Sequence, residues 1–436
     1  MRIPNLLAAL AAAFLASGAA LADARLDEAR RLLDAGDGAK AYALLVGAES
    51  ERAGDPAFDL LLGIAALEAG ENTRAIFALE RAVTVDPGNA RARAELARAY
   101  LAAGETDAAR REFERVRRQD VPADVKRTID RFLSTADLLD DRTRPTLRGH
   151  LEGGFGIDSN VNSAVGSASL AIPAFGGNAT LDPRSVRTGD SFYSLGGGLR
   201  YRHPLGEGLY VNAGGTAGLR THRNDDVWDQ GNLDGHAGLA WERGADTWSL
   251  GYQHNDLWLQ SDRYRSANGL TGQWQRQLGG QDQVAAFLQY SNLYYPNQRL
   301  RDADRWVLGG ALGHGFGNGL TGYAGLYAGT EREQAAGVPH LGHRLAGLRL
   351  GGEWALTGAA ALFANLSYEH RRYGGTEPLF LVGRRDDQWN VQVGANITLA
   401  RNWLLTPQVS VIRNDSNVAL YDYNRRVASV NLRRDF

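Results

Sequence analysis

The sequence predicts a multidomain α + β protein: an N-terminal α-solenoid followed by a 14-stranded antiparallel transmembrane β-barrel. Three observations predict it. Small and apolar residues recur at a spacing of 34 over the first third of the chain. From residue 146 onward the apolar period falls to two. Before both lies a secretory leader, and after it no stretch approaches 18 apolar residues.

The leader is MRIPNLLAALAAAFLASGAALA, residues 1–22. Arg2 supplies the positive start, Leu6 to Leu15 the apolar core, and Ala20-Leu21-Ala22 the small-residue cleavage pattern. It is too short to span a bilayer as a helix. A secreted chain without spanning helices can still cross a membrane as a closed barrel. The chain has no cysteine, which excludes disulfides, thiolate metal sites, a cysteine nucleophile and a lipidated N-terminal Cys. A formal charge of −2 offers nucleic acid no electrostatic footing.

The helical part is expected over 23–141. Gly36, Gly70 and Gly104 lie 34 apart, as do Ala41, Ala75 and Ala109, and Leu45, Leu79 and Phe113. Ala29, Gly63 and Ala97 form another register, and Leu32, Ala66 and Tyr100 a further one. This is the spacing of the tetratricopeptide (TPR) repeat, with small residues where paired helices cross. Up to three units and a capping helix from Asp124 to Leu139 are expected. Such a stack offers a groove for a peptide or protein and carries no chemistry. The segment DDRTRPT, 140–146, is expected to break the helix, with Pro145 as terminator.

The barrel is expected over 142–436. In QWNVQVGANITLA, Trp389, Val391, Val393, Ala395, Ile397 and Leu399 alternate with Asn390, Gln392, Gly394, Asn396 and Thr398. About fourteen such segments follow one another from 146 to 436. Short connections such as PLGEG, GGQD and GNG alternate with mostly longer ones, SDRYR and GTEPLFLVGRRDD among them. An even strand number with short turns on one side is the outer-membrane barrel pattern. Ala428, Val430, Leu432 and Phe436 share one face of the final segment, and Phe436 is read as a barrel-assembly signal.

FGIDSNVNSA, 155–164, gathers Asp158, Ser159, Asn160 and Asn162 at the end of the first predicted strand. Its D-x-N-x-N start echoes a calcium loop, but Ser163 and Ser169 stand where that loop needs Gly and Glu. No nucleophile–base pair accompanies it, and His340 and His343 form only a two-residue spacing in a predicted loop. We therefore expect no enzyme, no metal and no cofactor. Asp, Ser and Asn suit backbone capping where a strand enters a loop. The tripeptide recurs as Asp415, Ser416 and Asn417 before the last segment. First and last strands pair in a closed barrel, so both copies are expected at one rim, flanking the seam.

Helical repeats followed by about fourteen strands, with GIDSNVN opening the barrel and LTPQVSVIRNDSNVALYDYNRR closing it, resemble the surface lipoprotein assembly modulator (Slam) family. The resemblance covers nearly the whole mature chain. It implies an outer-membrane translocator that helps a client lipoprotein, or a secreted haem- or metal-acquisition protein, reach the cell surface. It implies a cell outer membrane location with the TPR domain in the periplasm. The partners expected are that client, outer-membrane lipid, the barrel-assembly machinery and periplasmic chaperones. A polysaccharide-export porin and a small-solute porin with a TPR binding domain are the alternative readings.

Overall fold

The computed structural model describes residues 24–436. The leader expected at 1–22 lies outside the described residues. The described residues divide into two compact units, 24–143 and 144–436.

The first unit is helical: α1 (24–34), α2 (Gly38–Val46), α3 (Glu49–Arg52), α4 (Pro56–Glu68), α5 (Asn72–Val85), α6 (Ala90–Ala102), α7 (Thr106–Arg117) and α8 (Ala123–Thr143). The 34-residue register has a direct physical meaning. Gly36, Gly70 and Gly104 each follow the first helix of a pair at φ +78°, +83° and +81°. Each closes the same cap: Asp37 N–H donates to Leu32 O at 2.8 Å, Glu71 N–H to Ala66 O at 2.8 Å and Glu105 N–H to Tyr100 O at 2.9 Å. Glycine takes that left-handed position without the Cβ penalty. Ala41, Ala75 and Ala109 are fully buried, and Leu45, Leu79 and Phe113 almost so. At Gly63 a Cβ would run into the Leu79 side chain, so the crossing of α4 and α5 requires its absence.

Ion pairs stitch the repeats together. The buried Asp59 carboxylate accepts from Arg81 at 2.7 Å and from Gly54 N–H at 2.8 Å, and Glu49 accepts from Arg81 at 3.0 Å. Arg93 donates to Glu112 at 2.6 Å with both side chains buried. Burial, and then the 2.5 Å hydrogen bond to Glu80, push the Tyr100 hydroxyl above its ordinary range. The terminal helix differs from expectation. It runs through Asp140 to Thr143, and only Arg144 and Pro145 break it before the first strand. A proline disfavours helix at the residue before it, not several residues earlier.

The second unit is a closed antiparallel barrel of fourteen strands. These are β1 (Thr146–Asp158), β4 (Asp190–Gly206), β5 (Leu209–His222), β6 (Gln230–Arg243), β7 (Asp246–Leu259), β8 (Asp262–Gly279), β9 (Asp282–Tyr294), β10 (Ala303–Gly317), β11 (Leu320–Glu333), β12 (His343–Thr357), β13 (Ala360–Glu377), β14 (Val382–Ala400), β15 (Trp403–Ser416) and β16 (Tyr423–Asp435). A hairpin of β2 (Ser169–Ile172) and β3 (Gly177–Thr180) stands apart in the β1–β4 connection. Neighbours in sequence pair in space, and β1 closes on β16.

Alternation decides the faces. Leu147, Leu151, Phe155 and Ile157 of β1 are exposed on the outside, as are Trp389, Val391 and Val393 of β14. Their polar alternates form the inner wall. At one end, the turn rim, strands join by tight turns such as Glu207-Gly208 and Asn318-Gly319, with positive φ at both residues of each pair. Those are the values a two-residue hairpin needs. The other end, the loop rim, carries the long β1–β4 connection. Two connections there are shorter than expected. SDRYR belongs largely to β8, which meets β7 through Gln260-Ser261, and β14 begins at Val382 within GTEPLFLVGRRDD. The ladders continue there through polar residues whose sequence lacks apolar alternation. His343 likewise opens β12 and does not lie in a loop.

Candidate functional site

The barrel has to join its first strand to its last, and the first Asp-Ser-Asn copy sits at that join. β1 pairs with β16 from His150 to Asp158, opposite Asp435 to Val427. On its other side β1 pairs with β4 along the whole of Thr146 to Asp158. The closing ladder is therefore the shorter of the two. It also contains Gly153, Gly154 and Gly156, which have no side chains to pack across it.

The seam is fastened at both ends. At the loop rim Asp158 faces inward, fully buried, and pairs with Arg425 of β16. Arg425 Nε donates to Asp158 Oδ2 at 2.9 Å and Nη2 to the same oxygen at 2.5 Å. Its Nη1 donates to Ser163 Oγ at 3.2 Å. This fork geometry suits a guanidinium better than a lysine. The rest of the motif works through backbone. Arg426 N–H donates to Ser159 Oγ at 2.8 Å, and Ser159 N–H to Arg426 O at 2.9 Å. The buried Asn160 amide donates to Ala164 O and to Asn424 O, each at 2.9 Å. Asn162 donates to Arg184 O at 2.9 Å and Val186 O at 2.8 Å, which folds the long loop back on itself.

At the turn rim Phe436 extends the ladder. Gly149 N–H donates to Phe436 O at 2.8 Å and Phe436 N–H to Gly149 O at 2.9 Å. The phenyl ring lies outward over Gly149, where any Cβ would collide with it.

The second copy lies at the same rim but one strand away from the seam. Its end of β15 pairs with β14, Ser416 opposite Asp386 and Asp415 opposite Asp387. Asp415 points outward and accepts from Arg413 Nε at 2.6 Å. Ser416 Oγ donates to the fully buried Asp386 at 2.7 Å, and Arg384 Nη2 donates to Asp386 at 2.5 Å. Asn417 donates to Gly383 O at 2.9 Å and accepts from Arg385 N–H at 2.7 Å. So only Asp158, Ser159 and Asn160 act on the seam; Ser416 and Asn417 tie the end of β15 to the start of β14, and Asp415 holds Arg413 of its own strand. β16 intervenes because the chain's end, not its penultimate strand, closes the barrel.

The two copies do meet indirectly. Val165, Leu170 and Ile172 of the β1–β4 loop form a small apolar cluster with Phe380 and Val418. Ala174 N–H donates to Leu379 O at 3.1 Å. Tyr421, at the edge of that cluster, packs on the lumen-facing Arg384, whose Cζ is 3.3 Å from the ring centroid. The loops at this rim thus fold inward. Sequence reasoning gave Arg425, Arg384 and Asp386 no role in the site. The available signal was an arginine or aspartate at an inward position of a predicted strand, where a solvated loop cannot explain it.

The geometry defines an outer-membrane type of β-barrel, closed at a latched seam, in a chain that also carries a TPR-like helical unit. Residues 149–436 match the family described as surface lipoprotein assembly modifier, and the chain belongs to that family. Residues 26–90 and 66–129 match tetratricopeptide repeats. No curated protein matches. Among solved structures, the chain is similar to an anion-selective porin from Comamonas acidovorans, 11% identical over 67% of this chain and 99% of that one, with a TM-score of 0.38. It is also similar to OmpT of Vibrio cholerae, 8% identical over 67% and 100%, with a TM-score of 0.39. The helical part is similar to the Sgt2 TPR domain of Aspergillus fumigatus, 21% identical over 27% and 76%, with a TM-score of 0.24.

Proposed function

We propose that this protein moves a client lipoprotein, or a secreted protein of similar kind, to the outside of the outer membrane through the β1–β16 seam. The observation that carries this reading is the seam itself: a short, glycine-rich closing ladder fastened at the loop rim by the Asp158–Arg425 ion pair with Ser159 and Asn160, and at the turn rim by Phe436. A strand edge that opens there would present free backbone N–H and C=O groups, and a client strand can pair with them by β-augmentation. The inward-folded loops crowd the lumen at the loop rim, which favours a lateral route over an axial one. The TPR-like unit lies in the periplasm and receives the client there, alone or from chaperones. Barrel-assembly machinery recognises Phe436 during biogenesis. The outward movement draws on client folding at the surface, and the protein acts without enzymatic chemistry.

Protease shaving of intact host cells tests the role. Deleting the gene should remove at least one lipoprotein from the shaved surface set, and restoring the gene should return it. An unchanged surface set in the deletion strain contradicts the reading.

A further inference from the structure

Away from the seam, the inner wall near the loop rim carries a cluster of arginines. Arg371 Nε donates to Glu369 at 2.5 Å, and Arg384 is matched by Asp386. Arg265, Arg301 and Arg305 gather with Arg371 around the carboxylate of Glu331. Arg305 and Glu331 pair directly across β10 and β11, yet their closest approach is 3.9 Å, too long for a hydrogen bond.

Two buried polar atoms beside Glu331 find no partner in the protein. His343, opposite Glu331 on β12, keeps only 9% of its side chain exposed, and its Nδ1 stands 4.0 Å from Glu331 Oε1 with no hydrogen-bond partner. The buried Nε of Arg265 also has no partner, while its Nη2 donates to Asn255 at 3.0 Å. Arg301 reaches in from the β9–β10 connection, its guanidinium 4.7 Å from the Tyr295 centroid and bonded to the Tyr264 hydroxyl at 2.7 Å. Aromatic faces hold the guanidinium in place without neutralising it. Buried donors are ordinarily matched, and a buried guanidinium N–H left without a partner favours an anion beside it.

We propose that this wall is an oxyanion-binding site in the barrel lumen, built from Arg265, Arg301 and Arg305 with His343 beside them. Its ligand is a carboxylate or phosphate group. Two sources supply that chemistry: the acidic side chains of a polypeptide held at the loop rim, or a free anion. The first source rests on the translocation reading, whereas the site itself does not.

Binding to the purified full chain in detergent tests the proposal at low ionic strength. A fluorescein-labelled octaglutamate peptide, an octalysine peptide and inorganic phosphate are the probes. Octaglutamate or phosphate should bind, and octalysine should not. Arg265→Gln/Arg305→Gln should weaken that binding at least tenfold, Arg265→Lys/Arg305→Lys should keep most of it, and Arg332→Gln on the outer face should leave it unchanged. Heat-modifiable gel mobility establishes that each variant retains a folded barrel. Phosphate binding without octaglutamate binding assigns the site to free anions and removes the polypeptide as source. Binding of neither probe, or equal binding by the glutamine variant, overturns the site. Neither result touches the seam, so loss of this site and loss of the translocation reading are separable.

Discussion

The two Asp-Ser-Asn copies share a tripeptide, a rim and a buried valine immediately after it, Val161 in one and Val418 in the other, yet they do different things. In the first, the aspartate is buried and grips an arginine 267 residues away, across the only junction that turns an open sheet into a barrel. In the second, the aspartate is on the outer face, and the buried carboxylate is Asp386, gripped by Arg384 two residues away on the same strand. The first copy resists separation of strands. The second shapes connections. What decides the difference is strand parity: Asp158 falls on the inward alternation of β1, Asp415 on the outward alternation of β15.

Removing the arginines separates the two roles with the largest effect. Arg425→Gln leaves Asp158 buried and uncompensated, which should cost about 3–5 kcal/mol. The loss should appear as a lower urea midpoint for the barrel in lipid vesicles. Arg384→Gln should cost less, about 2–3 kcal/mol, because Ser416 still donates to Asp386. It should also leave hydrogen exchange along β1 and β16 unchanged, whereas Arg425→Gln should accelerate it there. Equal acceleration in both variants breaks the comparison.

The other fastening of the seam gives a smaller effect. Gly149→Val places a branched side chain where the Phe436 ring lies, an overpacking expected to cost about 1–3 kcal/mol. Exchange should rise at the turn rim of β1 and β16. An alanine at Phe436 in the same background should relieve most of the loss; a persistent loss would show that ring and glycine are uncoupled.

The asparagines give the smallest contrast. Asn160 is fully buried and bridges Ala164 and Asn424, so Asn160→Ala should cost about 1–3 kcal/mol through the groups left unpaired. Asn417 is exposed, and Asn417→Ala should cost about 0.5–1.5 kcal/mol, the net worth of an ordinary hydrogen bond. The same urea midpoints measure both.

Much of the fold was legible because its periods are regular. Gly36, Gly70 and Gly104 announced three identical helix caps, and the alternation in 388–400 announced an inside and an outside. The limits of the strands were harder. Beyond the apolar band, ladders such as β7–β8 continue through polar residues, and alternation of hydropathy no longer reports them. The site was legible only in part. Asp158 to Asn162 stood out because they cluster in sequence, but Arg425 did not, since a lone arginine in YNRRVASV looks like any strand-end charge. Pairing the two requires knowing that β16 closes on β1 and in which register. The β2–β3 hairpin is too short to carry a period. It becomes visible only through its packing on Phe380 and Val418.

The central claim is that the seam opens. Ile157 and Ala428 are cross-strand partners on the outer face of β1 and β16, and Val391 and Val411 are partners on β14 and β15. With no native cysteine to interfere, Ile157→Cys/Ala428→Cys locks the seam and Val391→Cys/Val411→Cys locks a control ladder. The measurement is lipoprotein exposure on intact cells carrying each lock, with and without a membrane-permeant reductant. The seam lock should abolish exposure until reduced, while the control lock should leave it normal. Normal exposure with the oxidised seam lock in place would contradict lateral passage.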